Sequence, residues 1–420
     1  MPDLAERSRP CARRLEAILT ANREFRANVV PLCAAETPMS DYTRSFLMDP
    51  IHERYAMGGP LNPEADDFVG AEFVHQLHEL AIDLSRAVFG VRYADPRPLS
   101  GMGAITNLLM TLSKPGQKVL LQTSDSGGHS SIAPICRRLG LEVFGLPYDY
   151  DRFDCDTPAT NDLALGQFDF VMLAPSDILY APALDQLNLP PATTLIYDAT
   201  QTLGLIASRH LPSPFSINHS RFVVCAGTHK TLPGPSNGLI LTDNLDIATE
   251  LDAQLNPRYL RHVQPHHMAS VCATLIEQQE IGDAYSCRIQ HFVRVMSAAL
   301  ISQGLTVLQR EGQPSETHQV FLHIPEADLS AVYGRAVAAG VTLNKKVKPL
   351  FRNTGLRLGL QEIARYRWEA SDVEEAAELL GLIVKNLGSP DDRRCRAKKL
   401  ATNNVFRNDP APRTRQAAGH

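Results

Sequence analysis

The sequence predicts an α/β protein: a three-layer αβα domain on a mainly parallel sheet, followed by a smaller α+β C-terminal domain. Three observations carry this. Short apolar runs alternate with helical periodicity through the middle of the chain, the strand candidates are apolar on both faces, and the pattern changes character after about residue 270. A length of 420 residues with 44% hydrophobic content provides for two or three domains with real cores.

The elements follow in order. Residues 1–48 read as an N-terminal arm, with a helix over 11–24 and an irregular stretch ending near Asp49-Pro50. Residues 49–270 form the large domain. Its strands are expected at 118–123 (KVLLQT), 141–147 (LEVFGLP), 169–174 (DFVMLA), 194–198 (TLIYD), 221–226 (RFVVCA) and 238–242 (GLILT), with crossover helices such as 103–113 and 131–139. Residues 271–387 form the small domain: strands at 318–324, 340–344 and 355–360 between amphipathic helices 328–339 and 371–386. Ser371 and Glu374 stand in capping-box register at the start of the last helix. From 388 to 420 apolar periodicity gives way to charge, Pro and Asn, which predicts a disordered basic tail with eight Arg/Lys against three Asp.

Composition excludes several classes. With 41 basic and 46 acidic side chains the net charge is −5, and nothing suggests a nucleic-acid partner. No run approaches the ~20 apolar residues needed to cross a bilayer, so no membrane role is expected. The N-terminus lacks the apolar core of a secretory signal. The eight cysteines are scattered, with no CxxC pair and no Cys/His cluster at metal spacing, so neither a disulfide framework nor a metal is expected. A cytoplasmic location follows. Cys225, inside RFVVCAG, reads as a small core residue.

The chemistry-bearing residues gather at strand ends. In AGTHKTLPGPSNG (226–238) an apolar strand ends and presents Thr228, His229 and Lys230. A lysine desolvated there can act as a Schiff-base nucleophile, or it can simply snorkel from a loop. The strand TTLIYDATQT ends in Asp198, which either caps a helix or holds a pyridine nitrogen protonated so that the ring remains an electron sink. Ser100, Gly101, Met102 and Gly103 open a helix whose backbone N–H groups suit a phosphate monoester. Neither a P-loop nor a G-x-G-x-x-G string is present. His129 in SGGHSS lies on a loop at the same sheet edge, where it can stack on an aromatic ligand or serve only the loop.

Together these strings resemble serine (glycine) hydroxymethyltransferases of fold-type I pyridoxal-phosphate enzymes. The resemblance rests on RYAMGGP (54–60), GAEFV (70–74), SGGHSS, YDATQTLGLIA (197–207), THKTLPGPSNGLILT (228–242), VTLNKK (341–346) and TGLRLG (354–359), and runs from about residue 31 to 386. It implies pyridoxal 5'-phosphate as cofactor, Lys230 as the aldimine lysine, His229 and Thr228 as its neighbours, Asp198 as partner of the ring nitrogen and His129 as the stacking histidine. It further implies Ser176 near the phenolic oxygen, Gln201 beside the cofactor, Arg357 on the substrate α-carboxylate, and Tyr55 contributed across a homodimer with shared active sites.

The departures from the family pattern narrow the activity. Met57 stands where a glutamate serves folate-dependent transfer, and Phe68 where a tyrosine is expected; neither can move a proton. Ala35 replaces a serine, Gln201 a histidine, Met102 a phosphate-binding serine and Ser236 an arginine. No Gly-Gly pair stands around 262–265. The resemblance therefore implies a specialised biosynthetic paralogue acting at Cα of an amino-acid substrate through a quinonoid carbanion, by aldol-type cleavage, formation or group transfer. His129, His229 and Lys230 are its proton carriers, and folate-dependent serine–glycine interconversion is disfavoured. Decarboxylation, transamination, β-elimination, racemisation and a non-catalytic binding role are the alternatives.

Overall fold

The computed structural model describes residues 4–57 and 68–407. Part of the RYAMGGP stretch and the end of the expected tail lie outside the described residues.

The chain opens with helix α1 (Leu4–Arg26), longer than expected. The large sheet comprises β1 (Tyr93–Asp95), β2 (Lys118–Leu121), β3 (Glu142–Gly145), β4 (Phe170–Leu173), β5 (Thr194–Asp198), β6 (Phe222–His229) and β7 (Pro233–Thr242), in the order β1-β7-β6-β5-β4-β2-β3. Its paired strands run parallel from β6 to β3, and β7 alone is reversed, antiparallel to both neighbours. The small sheet has β8 (Val307–Leu308), β9 (Gln319–His323), β10 (Asn344–Lys348) and β11 (Asn353–Gly359) in the order β8-β9-β11-β10, all antiparallel.

Continuous apolar strands earn their burial on both faces. Leu195 and Tyr197 of β5 and Val224 and Ala226 of β6 enter one core cluster, while Ile196, Val223 and Cys225 enter the opposite one. Cys225 is a fully buried core thiol, and all eight cysteines are free. Helix α2 (Gly101–Leu112) covers the second face through Ala104, Ile105 and Leu108.

Four sequence expectations are corrected. The division at 270/271 falls inside one continuous helix, α3 (Pro265–Ser302), so no linker separates the two units there. The strand expected at 340–344 is split: Val341–Thr342 pairs in parallel with Val30–Pro31 of the arm, and Asn344–Lys348 joins the small sheet as β10. After α4 (Glu326–Ala339), helix α5 (Ala370–Lys385) is capped by Glu369 and Asp372 rather than by Ser371 and Glu374. Finally, residues 390–401 form helix α6 (Pro390–Ala401), closed at its start by a Ser389/Asp392 capping box and packed on α4 and α5, with Ala397 and Leu400 buried. The charge-rich composition concealed a helix with a narrow apolar seam. Beyond it Asn404 accepts from Trp368 Nε1 at 2.9 Å and donates to the Val29 carbonyl at 2.8 Å, tying this segment to the arm.

Candidate active site

The parallel strands bring their C-terminal ends to one edge, and the predicted residues follow those ends. β5 ends in Asp198, β6 ends in His229 beside Lys230, and the loops after β2 and β4 carry His129 and Ser176. Contacts join Asp198, β6 and α2 directly. The Thr200 amide and hydroxyl donate to Asp198 Oδ1 at 2.9 and 2.5 Å, and Thr200 Oγ1 accepts the Gly227 N–H at 2.8 Å. A Cβ on Gly101 would stand 2.8 Å from the Gly227 nitrogen, so glycine is what permits the start of α2 to come this close to β6.

Asp198 is thereby held in a local turn; the next helix, Leu203–Ala207, takes Thr202 at its cap position instead. Asp198 Oδ2 takes no hydrogen bond from the described residues. Burial raises its pKa, opposed by Thr200 and Lys230. Lys230 makes no hydrogen bond or ion pair with the described residues. Desolvation first, and then the charge of Arg357, bring its amine down from 10.5 to about 8. The neutral amine is the nucleophilic form.

Both histidines are neutral near pH 7. Burial lowers the pKa of His129, and its Nδ1 accepts the Ser131 N–H at 3.3 Å, which places the ring proton on Nε2. His229 is pushed down to about 4 by burial and then by Lys230, with Nδ1 buried and unpartnered. It is a poor carrier in the protonated form.

Several expected ligand contacts are used by the fold itself. Ser100 Oγ caps α2 by accepting the Gly103 N–H at 2.9 Å, which takes Gly103 out of the phosphate-binding set. The N–H groups of Gly101 and Met102 precede the helical ladder and retain that capacity; the Met102 side chain packs on the core. The Thr228 hydroxyl donates to the Pro235 carbonyl at 2.6 Å, tying the β6–β7 hairpin. Gln201 Oε1 accepts from Gln319 Nε2 at 3.0 Å, and the same amide reaches the Ser176 carbonyl at 3.2 Å. Tyr55 stacks on His262 at 4.4 Å and lies 4.7 Å from Phe68. Among the described residues no hydrogen bond or ring contact joins Tyr55 to Lys230, Asp198 or Arg357.

Arg357 reaches the site from β11. Its Nη1 donates to the Ser176 carbonyl at 2.7 Å and to Asp177 Oδ1 at 2.8 Å, and its Nη2 to Asn344 Oδ1 at 2.8 Å. Asp177 also binds Lys346 and Lys348, each at 2.7 Å. Desolvation raises the Asp177 pKa, but Arg357, Lys346 and Lys348 outweigh it and hold the carboxylate below its ordinary range. Sequence reasoning missed Asp177, Asn344, Lys346 and Lys348. The available signal was the period-two spacing of 344, 346 and 348 in NKKVK, which places all three on one strand face.

A serine hydroxymethyltransferase family model matches residues 190–380. The chain is 29% identical over 394 residues to serine hydroxymethyltransferase of Methanopyrus kandleri, covering 90% of each chain. It is 30% identical over 387 residues to fluorothreonine transaldolase of Streptantibioticus cattleyicolor, covering 89% of this chain and 60% of that one. The crystal structure of L-threonine transaldolase from Pseudomonas fluorescens superposes with a TM-score of 0.89 at 21% identity, over 96% of this chain and 94% of the other, which shows a shared fold.

Proposed function

Because the chain belongs to the serine hydroxymethyltransferase family of fold-type I pyridoxal-phosphate enzymes, we propose that it is an aldol-type enzyme that breaks and remakes the Cα–Cβ bond of a β-hydroxy amino acid without folate. The observation that carries this reading is the convergence of a partly neutral Lys230, a buried Asp198 and an Arg357 held by Asp177 and Asn344 in one site, in a chain with Met57 and Phe68 at the positions of family acid/base groups. Two of its relatives are named transaldolases, which fits aldehyde exchange.

The residues fit pyridoxal phosphate. Asp198 Oδ2 is free of the hydrogen bonds that engage Oδ1, a cationic ring nitrogen would relieve the cost of burying this carboxylate, and the first amides of α2 suit a phosphate. When bound, the cofactor supplies an electrophilic carbonyl carbon and a sink for the electron pair left at Cα. The protein supplies the rest. Arg357 fixes the α-carboxylate and thereby decides which Cα bond is aligned for cleavage. Neutral His129 lies at the same edge as a ring-stacking group. Lys230 Nζ, poised near neutrality, takes the β-hydroxyl proton as the first aldehyde leaves and returns it when the second adds.

A homodimer belongs to the same reading. Helix α1 is exposed along most of its length and presents Leu15, Ile18 and Leu19 at helical spacing, a face that a second copy would cover.

The test is product formation from threonine and a second aldehyde, with acetaldehyde released and no folate added. Folate-dependent serine formation at an ordinary enzymatic rate would overturn the assignment, as would purified protein that stays colourless when pyridoxal phosphate is added.

A further inference from the structure

The group around Asp177 carries more positive charge than one substrate carboxylate uses. Arg357, Lys346 and Lys348 all lie within 2.8 Å of this single carboxylate, leaving a net charge of +2. The side chains of Asp177, Arg357, Lys348 and Lys346 are 0, 5, 12 and 17% exposed, so water screens little of that charge. The crowding is felt: Lys346 has a lowered pKa, caused by desolvation and then by Arg357, although Asp177 opposes both. Such an excess, largely withdrawn from solvent, calls for an anion. Under the reading above, which this inference rests on, the α-carboxylate on Arg357 accounts for one charge. The other is unassigned.

The geometry offers a place for it. Lys346 and Lys348 leave the same face of β10 as Asn344, and Asn344 pairs in register with Arg357 on β11. Opposite Lys346 stands Gly355, which places no side chain in its way. Each ammonium has three donors and uses one on Asp177, which leaves two for a ligand. The site is electrostatically continuous with the reacting groups, since Lys346 acts on Lys230 and Lys348 on His129.

We propose that Lys346 and Lys348 form an oxyanion subsite that takes a second acidic group, a carboxylate or phosphate, carried by the amino acid or by the aldehyde that reacts with it. Asp177 is a positioning residue: it holds the three cations together and keeps the subsite formed when no ligand is present.

Calorimetric binding to the protein as purified tests this without turnover. Succinate, with two carboxylates, binds about tenfold or more tightly than butyrate, with one. Lys346→Gln and Lys348→Gln each shrink that ratio towards one, whereas Lys348→Arg keeps it, a rescue that rules out misfolding as the cause. Equal binding of the two acids to the wild type, or an unchanged ratio in both glutamine variants, would overturn the proposal. Two kinetic arms then locate the acidic group: succinic semialdehyde against butyraldehyde with threonine fixed, and β-hydroxyaspartate against threonine with the aldehyde fixed. A KM preference for the acidic compound in either arm supports the subsite and names its source; a preference in neither counts against it. A colourless protein that still favours succinate refutes the cofactor reading alone, and a yellow one that does not refutes the subsite alone.

Discussion

The amine of Lys230 is predicted to capture its cofactor fast at neutral pH, and the size of the effect follows from its surroundings. At an ordinary value of 10.5 about 0.03% of a lysine is neutral at pH 7; at about 8 the fraction is about 9%, roughly 300-fold more. Only the neutral amine attacks a carbonyl. The second-order rate of pyridoxal-phosphate capture by cofactor-free protein, followed by stopped-flow absorbance, should therefore rise about tenfold per pH unit below 8 and level off above it. Arg357→Gln removes the leading electrostatic cause of the depression after desolvation, and the midpoint should move upward. A capture rate still rising steeply beyond pH 9, or a midpoint unmoved by the Arg357 substitution, would refute this account of how the amine is activated.

Three further predictions concern stability and packing. The folded-state value of Lys230 lies below its unfolded value, so the charged lysine costs stability below pH 8, and that cost is relieved as the pH rises from about 8 to 10.5; Lys230→Met should stabilise cofactor-free protein by ~2–3 kcal/mol at pH 7, with the gain fading by pH 10.5 in urea titrations. Leu400→Ala should cost about 2–5 kcal/mol, because this side chain is 1% exposed in the core shared with α4 and α5; an unchanged denaturation midpoint would mean that α6 is not docked. Gly101→Ala drives a Cβ into the Gly227 backbone, so retention of cofactor through gel filtration should fall sharply while helix content by circular dichroism stays the same.

Much of the site was legible because strand ends announce themselves. TLIYD stops at Asp198 and RFVVCAGTH at His229, one residue before Lys230, and parallel pairing then places Asp198 and Lys230 at one edge whatever the loops do. Residues whose role depends on partners distant in sequence were not legible. Nothing local shows that the Ser100 oxygen is spent on capping α2 or the Thr228 hydroxyl on the β6–β7 hairpin. Asp177 and the lysines of β10 are separated by about 170 residues and meet only through tertiary packing. Helix α6 was read as disordered because composition averages over a face: its polar surface outweighs the few positions, Ala397 and Leu400 among them, that fix it in place.

The central claim is that Lys230 is the residue that carries the cofactor. Borohydride reduction of the protein loaded with pyridoxal phosphate, followed by peptide mass mapping, tests it most directly. One phosphopyridoxyl group per chain on the peptide containing Lys230, absent from Lys230→Ala, is the expected result. Full labelling of another lysine with Lys230 unmodified, or none at all, would contradict it.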